Sequence, residues 1–281
     1  DMVLVGGQAL SFWMNRYDIS AGDAFVTNDG DALGKLEKAH EMAIELKAKL
    51  LKPPTNARTS LVGQIRIPAP GGKFGNVDVL HMLYTTSGLR KSSDFTAAVI
   101  ENSIEFEWKP GKFIRVMNPL DLLDSRVQNA AGLLEEKGPH VLTQARWAIE
   151  VVKVVLTKLA ADEPSAKDRL GQKIQAVVRL SKSQAGRKLF AEHEIDVLDA
   201  IDIQELRQLA PVHNQQLDNL DEVIRRRALR RFVWDATFSV CLGRCERMAR
   251  QVLELGHAKV GNGDEARGCS EAPCGALGLL Q

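Results

Sequence analysis

The chain has 281 residues, 44% of them apolar and 26% charged, with a net charge of +1 at pH 7. That is enough chain for a sizeable core in one large or two ordinary domains, and the near-neutral balance neither demands nor excludes a polyanionic partner. No apolar run approaches the eighteen or so residues of a membrane span. The four cysteines, Cys241, Cys245, Cys269 and Cys274, contain no Cys-x-x-Cys pair and do not meet the six histidines at zinc spacing. Reduced core thiols in a cytoplasmic protein are the default reading.

The chain opens on a short apolar run, Met2 to Val5, which reads as a buried strand stopped by Gly6-Gly7. Because this strand starts so near Asp1, residues upstream of it are expected. Gln8 to Tyr17 then spaces Ala9, Leu10, Phe12, Trp13 and Met14 along one helix face. After a loop over 18–24, Phe25-Val26-Thr27 is a candidate strand delivering Asn28-Asp29-Gly30-Asp31. An amphipathic helix is expected over 34–51, ended by Pro53-Pro54; Lys35, Lys38, Lys47 and Lys49 read as its solvated surface.

Residues 61–67 alternate as a strand, 68–72 turn, and 74–84 form a more apolar second strand, together a hairpin. Two short strands follow over 103–108 and 113–117, split by Lys109-Pro110-Gly111-Lys112. From Asn118-Pro119 the pattern is helical: 119–136, 140–161, 166–180, 184–191, 194–209 and 215–256. Strand signals thus stop at 117, which predicts an α+β fold: a small mixed sheet with flanking helices over 1–118, an all-helical domain over 119–256, and a poorly ordered tail over 257–281.

The residues that carry chemistry lie in the first part. Acids at i and i+2 of a strand share a face, so Asp29 and Asp31 could together hold one or two Mg²⁺ ions, which favour a few carboxylates plus phosphates and water. Asp78, in Asn76-Val77-Asp78-Val79-Leu80, is the natural third carboxylate, since a charge in so apolar a strand is costly unless paired or metal-bound. Gly6-Gly7 at a helix start would let backbone N–H groups approach a triphosphate.

Three segments carry a family resemblance: Val5-Gly6-Gly7-Gln8-Ala9-Leu10-Ser11-Phe12-Trp13, the Val-Asp-Val-Leu around Asp78, and Val116-Met117-Asn118-Pro119-Leu120-Asp121-Leu122-Leu123-Asp124-Ser125-Arg126-Val127-Gln128-Asn129. Over roughly residues 2–150 the chain resembles bacterial nucleotidyltransferase-like proteins of the AbiEii type, within the superfamily that includes DNA polymerase beta. The resemblance implies transfer of a nucleoside monophosphate from an NTP, with Mg²⁺, to an acceptor that is RNA, protein or a small molecule, by a toxin-like enzyme with an antitoxin as partner. Gly6 and Gly7 would cradle the triphosphate, Asp29, Asp31 and Asp78 would bind metal and perform catalysis, and Arg126 would contact phosphate. Gly30 and Ala32 stand where such proteins carry bulky apolar residues, so a catalytically degenerate protein that binds a nucleotide or a partner is the alternative.

Other readings compete. Asn28-Asp29-Gly30-Asp31 is also a good turn sequence. A calcium loop fails, because Leu33 and His40 fall where oxygen ligands belong. Gly71-Gly72-Lys73 is no P-loop, with Ile67 in place of glycine and Phe74 in place of Ser or Thr. His81 reads as a packed or edge histidine on the strand face opposite Asp78. Arg225, Arg226, Arg227, Arg230, Arg231, Arg244, Arg247 and Arg250 read either as a nucleic-acid contact or as a solvated face paired with Asp218, Asp221 and Glu222.

Overall fold

Apolar alternation and one glycine set the front of the molecule. In the computed structural model, which describes residues 2–20, 29–162 and 167–227, β1 (Val3–Val5) buries Val3 and Val5 and leaves Leu4 half-buried. Helix α1 (Gly6–Arg16) starts directly on Gly6 and buries Ala9, Leu10, Trp13 and Met14. Its Trp13 Nε1 donates 2.8 Å to the carbonyl of Met117 in the interior, fastening the helix to the residue that follows the last strand, beside β1.

Six more strands complete one mixed sheet: β2 (Asp29–Leu33), β3 (Lys49–Leu51), β4 (Leu61–Pro68), β5 (Phe74–Leu80), β6 (Ile104–Lys109) and β7 (Lys112–Val116), in the order β3-β4-β5-β2-β1-β7-β6. β1 runs antiparallel to β2 and parallel to β7, while β2 runs parallel to β5. Side-chain alternation divides the sheet. One face turns Ile65 and Val79 onto Ala39 and Ala43 of α2 (Leu36–Glu45), a cluster of fully or nearly fully buried side chains. Asp29, Asp31 and Asp78 belong to the other face.

Helices take over after the last strand. Asn118 caps α4 (Pro119–Gly132), its side chain accepting from the Leu120 N–H at 3.0 Å with Pro119 opening the first turn. Then come α5 (Leu134–Lys137), α6 (His140–Asp162), α7 (Lys167–Lys182), α8 (Gln184–His193) and α9 (Ile203–Leu209), and residues 214–227 are helical. The fold is α+β, with all described strands before residue 117. By their internal contacts the described residues up to Asp221 form one unit.

Several expectations change. The helix expected over 34–51 ends at Glu45; the chain then turns through Lys47 at φ +50° so that Lys49–Leu51 can pair with β4. Lys47 and Lys49 therefore do not lie on a helix. A helix without an expected counterpart, α3 (Leu89–Asn102), buries Ser92, Thr96 and Val99. Its hydroxyls hold the segment after β5, since Thr96 Oγ1 and Ser92 Oγ accept the Leu83 and Thr85 N–H groups, both at 2.9 Å. β5 ends at Leu80, so His81 lies beyond the strand, its Nδ1 2.9 Å from the Ser60 carbonyl. Within the arginine run Arg226 pairs with Glu222 at 2.7 Å, whereas Asp218 and Asp221 meet Arg207 at 2.6 and 3.2 Å. Phe25–Thr27, Asn28, the four cysteines, Arg230, Arg231, Arg244, Arg247, Arg250 and the 257–281 tail lie outside the described residues.

Candidate functional site

β2 begins on the first acid, so Asp29 and Asp31 sit in strand and not in a turn, with β5 as their parallel neighbour. The register pairs Asp29 with Asn76 and Asp31 with Asp78. Residues paired in register share a face, so all three carboxylates lie on one side of the sheet. Asp31 and Asp78 are one strand apart, about 4.8 Å, and Asp29 is two residues, about 6.6 Å, along β2.

Hydrogen bonds set two of these acids. Gln64, opposite Asp78 on β4, donates from Nε2 to Asp78 Oδ1 at 2.9 Å. Asn76 Nδ2 donates to Asp29 Oδ1 at 3.1 Å, which leaves the buried Asn76 Oδ1 without a partner. Asp31 is held differently. Val5 pairs with Asp31 across β1 and β2, and the next residue, Gly6, takes φ +67° as α1 begins. A Cβ on Gly6 would collide with the Asp31 carboxylate. Glycine is therefore required twice, for the left-handed backbone and for the space. Val5, at the N-cap of α1, makes no side-chain hydrogen bond to the first turn, and that turn begins beside the Asp31 carboxylate. Gly7 lies in ordinary helical backbone.

Arg126 faces this corner from α4. It is 7% exposed, its Nη1 donates 2.9 Å to Gln144 Oε1 of α6 and its Nη2 donates 3.2 Å to Ser125 Oγ, while Nε has no partner. Burial pushes the guanidinium down to about 10, and the field of Asp31 works against that. Burial raises the affinity of Asp31 for a proton, Arg126 and Lys137 oppose it, and the like charges of Asp78 and Asp29 add to it. Lys137 of α5, Gln64, Asn76 and Gln144 were not foreseen as site residues. Only the in-register strands and the α4–α6 packing bring them in, and no local motif marks them.

Among the described residues no three His, Cys, Asp or Glu side chains form a ready-made metal-binding group. Asp29, Asp31 and Asp78 share a face without closing on one point. The donor set nevertheless suits Mg²⁺, a hard cation that takes oxygen ligands, needs only one or two carboxylates and fills its remaining positions with phosphate and water. Asp31 and Asp78 are adjacent, Asn76 Oδ1 is a spare buried oxygen, and a cation here would favour the charged form that burial disfavours at Asp31.

A cavity of about 560 Å³ between α1 and the β6–β7 hairpin, walled by Leu4, Phe12 and Trp108, does not belong to this site. Leu4 alternates with Val5 and points away from the acid face. No described helix is long and apolar enough to cross a membrane. No protein-family model matches the chain, and no curated protein matches it.

Proposed function

We propose that the chain is a Mg²⁺-dependent nucleotidyltransferase that moves a nucleoside monophosphate from an NTP to an acceptor hydroxyl. One observation carries the reading: Asp31 and Asp78 stand in register on adjacent strands, with Asp31 against the start of α1 and within the field of a buried arginine. With a divalent cation on the two acids this arrangement would hold a polyphosphate, on a sheet-and-helix order that the resemblance to AbiEii-type proteins also implies.

In this reading the Gly6 and Gly7 N–H groups orient the triphosphate, and Arg126 and Lys137, whose fields both reach Asp31, offset its charge. The chemistry Mg²⁺ supplies when bound is charge stabilisation at the attacking and leaving oxygens. Asp78, steadied by Gln64, accepts the proton of the acceptor hydroxyl. The acceptor oxygen bonds to the α-phosphorus, the bond from that phosphorus to the bridging oxygen breaks, and pyrophosphate leaves. An antitoxin that blocks the acid face would fit a toxin-like role.

A second reading has its own support. Asp29 and Asp78 are each already engaged by an amide, Gly30 replaces a packing side chain beside them, and the three acids do not close. A degenerate protein that binds a nucleotide or partner without reacting would look the same. Incubation with each α-labelled NTP, Mg²⁺ and a mixture of RNA, protein and small hydroxyl acceptors separates the two. The enzyme reading expects labelled product, lost in Asp31→Asn and in Asp78→Asn while the melting temperature holds. Calorimetric NTP binding with no product under any divalent metal would favour the binding module.

A further inference from the structure

Between Glu45 and Asp78 the sequence contains no acid, but it contains Lys47, Lys49, Lys52, Arg58, Arg66 and Lys73. All six are exposed. Several cations elsewhere pair with acids, Lys38 with Glu41, Lys112 with Glu45, Lys153 with Asp202 and Arg207 with Asp218, and others such as Lys35 and Lys109 do not. None of these six pairs with an acid among the described residues. The register then lines two of them up with the site. Lys49 pairs with Arg66, Arg66 with Asn76 and Asn76 with Asp29, one row across β3, β4, β5 and β2 on the acid-bearing face.

An exposed aromatic flanks the row. Phe74, on the same face two residues before Asn76, is 55% exposed, with the Arg66 guanidinium 5.3 Å from its ring centroid. A lysine on a short outer strand is an ordinary guard against edge-to-edge pairing, and that accounts for Lys49. It does not account for Arg66, on a strand paired on both sides, nor for a bare phenylalanine ring, which would undo the guard. Unpaired cations interleaved with an exposed ring are what a flexible polyanion with stackable bases requires: charge for the phosphates and a π-face for a base.

We infer that the β3–β4–β5 edge is the docking surface for a single-stranded nucleic acid, laid along Lys49, Arg66 and Phe74 so that its end reaches the acid row. The inference names the acceptor class of the reaction proposed above and rests on that reading, but the surface can be tested without the reaction. The probe is a fluorescent twelve-residue oligouridylate, titrated with the full chain carrying Asp78→Asn, in the absence of NTP and Mg²⁺. Binding is expected to weaken as salt rises. Lys49→Glu with Arg66→Glu should lower affinity at least tenfold and flatten the log–log salt slope by about 1.4, two phosphate contacts at roughly 0.7 each. Phe74→Ser should weaken binding about tenfold. Lys109→Glu with Lys112→Glu, which makes the same change of net charge on the opposite hairpin, should leave it within twofold. A chain that ignores the oligonucleotide at 50 mM salt, an Arg66/Lys49 reversal that binds like its parent, or equal affinity for a duplex with no dependence on Phe74 would each overturn the inference. Nucleotide transfer to a small hydroxyl acceptor without oligonucleotide binding would sink the docking surface and leave the transferase reading standing. Binding without transfer in the chain with Asp78 intact would do the reverse.

Discussion

Replacing Gly6 by alanine tests how the fold makes the site, because one added carbon offends twice. At φ +67° an alanine carries the left-handed penalty of about 1–2 kcal/mol. Its Cβ also runs into the Asp31 carboxylate, and forcing extra atoms into a filled space costs typically about 1–3 kcal/mol. Gly6→Ala should therefore destabilise the chain by about 2–5 kcal/mol, read as a lower urea midpoint at unchanged slope. The two contributions separate in a double-mutant cycle. Asp31→Ala removes the obstacle but not the backbone strain, so the pair should show a coupling of about 1–3 kcal/mol, with Gly6→Ala costing only about 1–2 kcal/mol on the Asp31→Ala background. Urea melts of the four proteins supply every number. Additive effects, or Gly6→Ala melting within 0.5 kcal/mol of its parent, would mean that Asp31 does not sit over the start of α1, and the geometry of the site would be wrong.

Asp121, half-buried in the first turn of α4 with Oδ2 unpartnered, is raised from 3.8 to about 6 chiefly by burial. Its folded form holds the proton more tightly than the unfolded chain, so stability falls as pH rises between about 4 and about 6, by at most about 3 kcal/mol; Asp121→Asn should flatten that part of the stability–pH curve and raise the melting temperature at pH 7. Trp13→Phe removes the indole donor to the buried Met117 carbonyl and should cost about 1–3 kcal/mol in denaturant melts. Arg126→Gln withdraws the cation that opposes proton uptake at Asp31, so NMR titration of the Asp31 carboxyl should show its pKa moving further up, and calorimetric affinity for an NTP should fall at least tenfold. With the native residues, Mg²⁺ affinity should weaken on acidification at a higher pH than an ordinary carboxylate would give, because Asp31 is already raised.

Where one face alternates, the sequence was readable. Leu61 to Ile67 shows as a strand by its alternation, Phe74 to Leu80 as the more apolar partner across the turn, and the helical pattern from Asn118-Pro119 onward marks α4. Helix α3 stayed hidden because two of its three buried positions are Ser92 and Thr96, whose hydroxyls bind backbone and carry no apolar period. β3 was absorbed into the preceding helix because Leu46 and Leu50 continue its apolar spacing; only pairing with β4 ends it at Glu45. Asp29, Asp31 and Asp78 could be read as one face once two strands were placed. Their partners could not. Gln64, Asn76 and Lys137 enter through strand order and helix packing, which no local pattern encodes, and the basic row from Lys49 to Arg66 exists only once the register is known.

The central claim is that the acid face binds a metal–nucleotide complex for transfer. It is tested most directly by anomalous diffraction from crystals soaked with Mn²⁺ and a non-hydrolysable NTP. The account predicts manganese between the Asp31 and Asp78 carboxylates, with the triphosphate against the Gly6 and Gly7 N–H groups and within reach of Arg126. Manganese and nucleotide bound elsewhere, with the acid face empty at saturating concentrations of both, would contradict it.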